Sequence, residues 1–302
     1  MKVLLIGYGS IGKRHEEVLS YFPNIQTIDI VTKQNLDTKI TYKTLQEIEN
    51  LESYDYFIIA SETNKHYEQL RYLDSKVKNK RIFCEKPLFE KYEDLDILNN
   101  AVYVGYVLRF HPLLQKLKEL LCNDQILNIN VQCGQYLPTW RPHSDYRQSY
   151  SAKKEQGGGV LLDLSHEIDY VQYLCGKMTE LKSYQVKISD LEIDSDDLTT
   201  FIGKTERAIM VSVSIDYISK ITHRRMILNT LNYTYELDFI HNTLSQKDKS
   251  GTEKVFEDEN LERNSMFVRM HQSILDNEEN SCTYQEGLDT MSTIAMIQEQ
   301  NR

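Results

Sequence analysis

Residues 2–12 read Lys2-Val3-Leu4-Leu5-Ile6-Gly7-Tyr8-Gly9-Ser10-Ile11-Gly12, and this stretch decides the fold. The apolar run 2–6 is typical of a buried parallel strand, and a helical pattern from about Ile11 to Ser20 follows it. A G-x-G-x-x-G sequence between a strand and a helix is typical of a βαβ unit that binds a dinucleotide. The alternative is a glycine-rich turn without a ligand.

The three glycines have separate roles in such a turn. Gly7 permits the tight turn, Gly9 lets the backbone approach a diphosphate, and Gly12 allows the helix to pack closely on the strand. The helix N-terminus adds unpaired N–H groups and the positive end of its dipole. We therefore predict that a dinucleotide binds at Gly7, Gly9, Ser10, Ile11 and Gly12.

Strands and helices alternate through residues 1–108, which predicts a parallel sheet and an α/β Rossmann domain. Later strands are expected at 26–31, 56–60, 81–84 and 102–108, and helices at 45–51, 65–77 and 94–99.

The rhythm changes after residue 109, where several strand candidates follow one another without helices between them. These candidates lie at 181–189, 197–203, 207–216, 223–230 and 233–240, and helical patterns lie near 113–121, 160–174, 261–276 and 284–300. Residues 109–302 are therefore predicted to form an α+β domain with a mostly antiparallel sheet. The last helix, 284–300, is expected to pack back toward the first domain.

Composition excludes several classes of protein. The chain has 302 residues, which suits one or two domains, and its net charge of −10 disfavours binding to nucleic acid. No apolar run approaches the roughly 18 residues that a membrane span needs, and residues 2–6 are too short for an export signal. The five cysteines are widely spaced and form no C-x-x-C, so we expect a reducing, cytoplasmic location.

Cofactor choice is predicted from the end of the second strand. An acidic residue about 20 positions after the glycines would bind the ribose 2′-hydroxyl of NAD, but that place holds Thr32 and Lys33. Asp29 lies inside the strand and comes too early. A hydroxyl and a cation suit a 2′-phosphate, which favours NADP over NAD. The alternative is that Lys33 is an ordinary solvated lysine.

Polar residues also follow two further strands. Ser61, Asn64 and His66 come after the strand 56–60, and Glu85-Lys86-Pro87 comes directly after the strand 81–84. Ligands of open α/β sheets bind beyond the carboxyl ends of the strands, so we predict that these side chains, including Glu85 and Lys86, contact the cofactor. The alternatives are a surface lysine before a helix and a histidine that caps the helix after it.

A glycine-led segment, 157–169, carries Asp163, His166 and Asp169 at intervals of three residues on one predicted helical face. Polar groups on an otherwise apolar helix are costly to bury without partners, which indicates a functional role. A metal site is the rival interpretation. No convincing further ligands occur elsewhere in the sequence, so we predict no metal.

Taken together and in this order, the motifs resemble the Gfo/Idh/MocA oxidoreductases, named for glucose-fructose oxidoreductase, inositol dehydrogenase and a rhizopine catabolism protein. The motifs are Gly7–Gly12 with Arg14-His15, Asn64-x-His66, Cys84-Glu85-Lys86-Pro87, Arg109-Phe110-x-Pro112 and the segment 157–169. The resemblance implies a Rossmann domain followed by an α+β domain with a large, mostly antiparallel open sheet. That sheet commonly mediates oligomerisation, so a homo-oligomer (dimer or tetramer) is expected.

The resemblance also implies site residues. Lys86 matches the family lysine near the nicotinamide and the reacting hydroxyl, and the bond before Pro87 is often cis in relatives. Asp163 and His166 match the family aspartate and histidine. Relatives usually read D-x-G-x-H, whereas this chain is one residue shorter, so His166 matches more closely than Asp163.

The implied activity is hydride transfer between NAD(P) and a sugar hydroxyl or keto group. His166 would accept the hydroxyl proton, Lys86 would bond the same oxygen, and Asp163 would orient the substrate or Lys86. Two alternatives stay open. One is an oxidation–elimination–reduction cycle with no net redox change, and the other is a regulator that binds NAD(P) without turnover.

The loop 136–147 indicates the substrate class. It carries Trp140, Arg141, His143 and Tyr146, and Arg109 is a further candidate for binding an anion. Aromatic faces pack on sugar rings, and arginine binds carboxylate or phosphate through its forked donors. We therefore predict an anionic or nucleotide-linked sugar. The alternative is a structural loop with a buried Trp140.

Overall fold

A computed structural model of the chain describes residues 1–36, 39–141, 145–258, 261–262 and 264–301. The chain divides into two compact units. The first unit comprises Met1–Phe110 and Glu262–Leu288, and the second comprises His111–Leu261 and Asp289–Arg302. Among the described residues, no helix has the length and apolar character needed to cross a bilayer.

The regular elements are numbered along the chain. The strands are β1 (Lys2–Ile6), β2 (Thr27–Val31), β3 (Thr41–Tyr42), β4 (Tyr56–Ile59), β5 (Arg81–Cys84), β6 (Ala101–Val104), β7 (Ile126–Gly134), β8 (Met178–Val186), β9 (Leu198–Thr205), β10 (Met210–Asp216), β11 (His223–Thr230), β12 (Tyr233–Asp238), β13 (Thr243–Asp248), β14 (Glu253–Glu257) and β15 (Cys282–Thr283). The helices are α1 (Ser10–Leu19), α2 (His66–Lys76), α3 (Pro112–Leu120), α4 (Val160–Asp163), α5 (His166–Cys175), α6 (Ser265–Asp276) and α7 (Tyr284–Gln300).

The first unit is built on a sheet with the order β15-β6-β5-β4-β1-β2-β3. The neighbouring strands from β6 to β3 pair in parallel, and β15 joins the β6 edge antiparallel. This arrangement confirms the predicted Rossmann domain. It brings the turns after β1, β4 and β5 to the same edge of the sheet, where the glycine turn and Lys86 both lie.

Helix α6 returns to the first unit from late in the chain. Its apolar residues Phe267, Met270 and Ile274 are buried in one cluster with Phe83 of β5 and Val18 of α1. The first unit therefore includes α6, which contributes apolar residues to its core. Tyr284–Leu288 at the start of α7 belong to the first unit, and the rest of α7 belongs to the second. The domain boundary after residue 108 and the packing of residues 284–300 toward the first domain stay predictions.

Two predicted helices of the first unit are not formed. Residues 94–99 are irregular because the Asp74 carboxylate accepts hydrogen bonds from the backbone N–H groups of Leu98 and Asn99 (3.1 and 3.3 Å). Such bonds from a side chain compete with the helical pattern. Residues 45–51 form two short 3₁₀ turns, Leu45–Glu47 and Leu51–Ser53.

The second unit carries an eight-stranded sheet with the order β14-β13-β12-β11-β7-β10-β9-β8. Only β7 and β10 pair in parallel, which confirms the predicted, mostly antiparallel sheet. Helices α3, α4 and α5 pack on it. Along β9 and β10 buried residues alternate with more exposed ones, so one face carries the core and the other stays accessible.

Candidate active site

The glycine turn after β1 has the geometry of a dinucleotide cradle. Gly7 has φ = +95°, and a Cβ placed there would lie 2.5 Å from the carbonyl oxygen of Ala60. A Cβ on Gly12 would overlap the carbonyl oxygen of Gly7. A Cβ on Gly9 would meet no atom within 4 Å. The protein's own packing therefore requires Gly7 and Gly12, whereas the space above Gly9 is open.

Helix α1 begins at this turn with Gly9 at its N-cap, which makes no side-chain cap hydrogen bond, and its first turn holds no acidic residue. Ser10 is exposed and Ile11 is half-buried. Free N–H donors, a positive dipole end and the open space over Gly9 fit a diphosphate. The residues present therefore suit the cofactor that the sequence predicts.

The turn after β5 presents Lys86 and buries Glu85. The Lys86–Pro87 peptide bond is cis, and Lys86 is partly exposed. Glu85 accepts a hydrogen bond from the Lys86 N–H (3.1 Å) and lies 2.8 Å from Nε2 of His15. The buried carboxylate of Glu85 therefore has partners inside the protein, and a cofactor contact of Glu85 stays a prediction.

The turn after β4 is tied to the Lys86 turn by His66. This histidine is buried, with Nδ1 3.2 Å from the carbonyl oxygens of both Pro87 and Leu88 and Nε2 3.1 Å from that of Ser61. Burial lowers the pKa of His66, and the carbonyl oxygens of Ser61, Pro87 and Leu88 act in the opposite direction. His66 thus links the two turns, and a cofactor contact of His66 stays a prediction.

Two other residues predicted after β4 lie nearer the surface. The Ser61 hydroxyl donates to Oε1 of Gln69 at 2.6 Å, and Asn64 is exposed in a 3₁₀ turn, Thr63–Lys65. Cofactor contacts of Ser61 and Asn64 stay predictions.

The end of β2 presents the exposed cation Lys33, whereas the carboxylate of Asp29 is buried. Asp29 is buried, pairs with Lys2 at 3.0 Å and accepts a hydrogen bond from the Tyr54 hydroxyl at 2.6 Å, so it is held within the fold. The Thr32 hydroxyl accepts a hydrogen bond from the Gln34 N–H at 3.2 Å. Lys33 is exposed.

Arg109 is buried and paired within the protein. It is only 1% exposed, and its guanidinium pairs with Glu286 of α7 at 2.8 Å within the first unit. A buried cation needs a partner, and Glu286 supplies a negative charge here. A substrate contact of Arg109 stays a prediction.

Replacing Glu286 with Gln is expected to lower the free energy of unfolding by about 1–3 kcal/mol, because buried Arg109 loses its counter-charge. Burial would raise the pKa of the Glu286 carboxyl, but Arg109 and hydrogen bonds from Thr283 hold it below its usual range. A depressed carboxyl pKa stabilises the fold above about pH 4.3 and loses that effect as pH falls through the folded value. Denaturant unfolding from pH 7 to pH 3 measures the difference in free energy of unfolding between the wild type and Glu286→Gln, and this difference should shrink as the pH falls. A difference that does not depend on pH would contradict the ion pair.

The segment after the glycines is two helices rather than one. Helix α4 ends at Asp163 and α5 begins at His166, because Leu164 adopts φ = −98° and ψ = 29°, outside the helical region. Asp163, His166 and Asp169 therefore do not share one helical face, which corrects that prediction. Every residue from 157 to 171 is buried except His166, which is partly exposed. His166 is thus the one side chain of this segment that a solute can reach.

Asp163 is held by hydroxyl donors. Ser151 and Tyr217 each donate to its Oδ2 at 2.6 Å, and Tyr150 also bonds its carboxylate. Burial and the Asp163 carboxylate raise the pKa of both Tyr150 and Tyr217. This network holds the carboxylate in one orientation, and none of its three donors was predicted from the sequence.

The predicted substrate loop packs around these donors. Trp140 meets the Tyr217 ring edge to face, with centroids 5.1 Å apart, and the Arg141 guanidinium lies 5.6 Å from the Tyr150 ring centroid. Tyr146 is held elsewhere, since its hydroxyl accepts a hydrogen bond from the Glu192 N–H at 3.2 Å. His143 lies outside the described residues. Trp140 and Arg141 thus lie beside the tyrosines that bond Asp163, and substrate contacts of Trp140, Arg141 and Tyr146 stay predictions.

The fold and the glycine turn define an oxidoreductase-type chain with a Rossmann unit and an open-sheet unit. Residues 1–103 match the family model described as an oxidoreductase family NAD-binding Rossmann fold. Residues 114–230 match the GFO/IDH/MocA C-terminal domain. The chain belongs to the Gfo/Idh/MocA family of oxidoreductases.

Two curated proteins match about half of the chain in sequence. An uncharacterized oxidoreductase of Streptococcus pneumoniae is 29% identical over 156 residues, which is 49% of this chain and 41% of that protein. A 2,7-anhydro-N-acetylneuraminate hydratase of Escherichia coli is 26% identical over 148 residues, 47% of this chain and 39% of that protein. The matches therefore span less than half of the length of these relatives.

A solved structure shares the complete fold. Levoglucosan dehydrogenase in complex with NADH superposes with a TM-score of 0.83 over 99% of this chain and 96% of that chain, at 16% identity. At this level of identity the similarity shows the fold alone.

Proposed function

We propose that this protein transfers a hydride between NAD(P) and a hydroxyl or keto group of a sugar. The observation that carries the proposal is that Lys86 and His166 both remain accessible within otherwise buried segments. Lys86 follows β5 at the sheet edge that also carries the open space over Gly9. If these two positions had a purely structural role, we would expect buried apolar side chains there.

The roles of the residues follow from their chemistry. A bound nicotinamide would supply the two-electron acceptor or donor, held by the amides of the turn Gly7–Gly12. His166 would take the proton of the substrate hydroxyl, since the pKa of an ordinary histidine lies near neutrality. Lys86 would donate a hydrogen bond to the same oxygen and stabilise its developing charge. Asp163, fixed by Ser151 and Tyr217, would orient the substrate.

We propose an anionic sugar as the substrate. Trp140 offers an aromatic face and Arg141 an exposed cation, both on the loop that packs around Asp163's hydroxyl donors. The name of one relative, 2,7-anhydro-N-acetylneuraminate hydratase, refers to an anhydro-neuraminate, and a structurally similar protein is named levoglucosan dehydrogenase. A nucleotide-linked sugar would use the same aromatic and cationic side chains and belongs in the same assay panel.

A panel assay with purified protein tests the function. It combines NADH, NADPH and their oxidised forms with neutral sugars, sugar acids, anhydrosugars and nucleotide sugars. A lasting absorbance change at 340 nm with sugars supports a dehydrogenase. Tight cofactor binding without conversion of any sugar would contradict catalysis and support a regulator.

A second candidate is a reaction with no net redox change, in which the cofactor is reduced and then oxidised again. The observation that favours it is the hydratase name of the Escherichia coli relative, which describes a net addition of water. Sugar conversion followed by NMR without a lasting absorbance change would support this candidate.

Lys33→Ala is expected to raise the Kd for NADPH about tenfold and to leave the Kd for NADH within about twofold. We propose NADP as the preferred cofactor because Lys33 is exposed at the end of β2, whereas Asp29 is engaged by Lys2 and Tyr54. Fluorescence titration measures both constants. Lys91→Ala, a surface lysine paired with Glu93, is the matched control. An equal loss for both cofactors would contradict recognition of a 2′-phosphate.

We further propose that the chain works in the cytoplasm as a homo-oligomer joined through the open sheet face. Apolar side chains are exposed on neighbouring strands of that sheet, Tyr184 on β8, Ile202 on β9 and Met210 on β10. Exposed apolar groups on one face often mark a contact between subunits. Light scattering of the purified protein tests the oligomeric state.

A further inference from the structure

Four buried polar side chains of the first unit form one continuous chain that ends at the Lys86 turn. The Tyr56 hydroxyl lies 2.9 Å from Nδ1 of His271, and Nε2 of His271 lies 2.9 Å from Nδ1 of His15. Nε2 of His15 then lies 2.8 Å from Oε1 of Glu85. The other carboxylate oxygen of Glu85 accepts the N–H of Lys86 at 3.1 Å.

The packing around this chain is tight. Tyr56, His15 and His271 are fully buried, and the His15 ring makes edge contacts with Phe83 and His271 at centroid distances of 5.0 Å. A Cβ on Gly105 would lie 3.0 Å from the Glu85 carboxylate. The absence of a side chain at Gly105 therefore leaves the space that the Glu85 carboxylate occupies.

The chain can carry its protons in either of two orders. Burial and the neighbouring His15 lower the pKa of His271 well below its usual value, so its ring carries a single N–H. That N–H points either to Nδ1 of His15 or to the Tyr56 hydroxyl, and the other ring nitrogen of His271 then accepts. In both orders the ring of His271 joins Tyr56 to His15.

We propose that His271 of α6 is a positioning residue that acts through His15 and Glu85 to hold the backbone of Lys86. The role of Lys86 in this statement rests on the proposed function. The physical reason is that catalytic groups must be held to within a fraction of an ångström, and displacement by 1 Å can cost about a hundredfold in rate. Helix α6 therefore has two roles: it covers one face of the sheet, and it positions the turn after β5.

Three variants of one helix test the proposal. His271→Leu breaks the chain, whereas His271→Gln keeps an N–H donor toward His15. Ile274→Val on the same helix trims the same buried core and takes no part in the chain, so it is the matched control. The first readout is hydrogen exchange of the Lys86 amide, which needs no activity. The second is kcat and KM for a sugar from the panel, with the dinucleotide Kd.

We expect His271→Leu to speed exchange of the Lys86 amide about tenfold and to lower kcat about 10- to 100-fold, with KM and the dinucleotide Kd little changed. His271→Gln should keep most of the wild-type protection of the Lys86 amide and most of kcat. Ile274→Val should change neither the amide exchange nor kcat. An unchanged Lys86 amide in folded His271→Leu would overturn the proposal. Equal effects of His271→Leu and Ile274→Val would also overturn it.

A measurement on the unaltered protein covers the case in which His271→Leu does not fold. ¹⁵N-histidine NMR detects whether Nε2 of His271 and Nδ1 of His15 share a hydrogen bond, and a scalar coupling across that bond supports the chain. Absence of the coupling overturns it. If the wild-type protein converts no sugar, the proposed function fails, and the amide and ring measurements still decide whether His271 holds Lys86.

Discussion

His166→Ala is expected to lower kcat by about 10²–10⁴-fold and to leave the Kd of the dinucleotide unchanged, because the variant lacks the base that takes the substrate proton. His166 is the one partly exposed side chain between residues 157 and 171, so its removal disturbs the core less than removal of a fully buried side chain would. Thermal unfolding should therefore change little. Stopped-flow or steady-state kinetics on a sugar from the panel measures the loss.

His241→Ala is the control for this experiment. His241 is an exposed histidine of the second unit whose ring bonds Asp238 at 2.8 Å, and its removal should leave kcat unchanged. A loss of less than about tenfold in His166→Ala would remove His166 from the role of general base. The proposed function would then need another base.

The second large effect is expected at Gly9. Gly9→Ala should keep the thermal stability of the protein and weaken dinucleotide binding by about tenfold or more. The backbone of Gly9 has φ = −77° and ψ = −162°, which alanine adopts without strain, and the added methyl group meets no protein atom within 4 Å. The methyl group would instead occupy the space through which a diphosphate approaches the helix N-terminus.

Gly12→Ala provides the contrast, because its Cβ would overlap the Gly7 carbonyl oxygen. That variant should lose stability and binding together, whereas Gly9→Ala should lose binding alone. Calorimetry or fluorescence titration, paired with thermal unfolding, separates the two results. Full dinucleotide affinity in Gly9→Ala would show that the turn is not the cofactor site.

The fold was largely predictable because its signals are local. Apolar runs and glycine turns predict β1, β4 and β5 within a few residues, and the change of rhythm near residue 109 predicts the second sheet. The strands β13 and β14 were missed because they are polar, with sequences such as Glu253-Lys254-Val255-Phe256-Glu257. Charges on an edge strand protect it from pairing with other chains, and they also hide it from a hydrophobicity pattern.

The site was only partly predictable because its contacts join distant residues. Tyr217 bonds Asp163 across 54 positions and is one of 20 tyrosines, so nothing in the sequence distinguishes it. The ion pair of Arg109 could not be predicted because Glu286, its partner, lies 177 residues away. The break between α4 and α5 was not predicted because no glycine or proline interrupts residues 160–175.

The late return of α6 has a consequence for synthesis on the ribosome. Domains usually fold in order as the chain emerges, N-terminal first. Here the Rossmann unit stays unfinished until residues up to Leu288 have been translated, because α6 supplies part of its core. A fragment that stops at Phe110 would expose the sheet face around Phe83 to water, which makes it a substrate for chaperones rather than a free-standing cofactor-binding module.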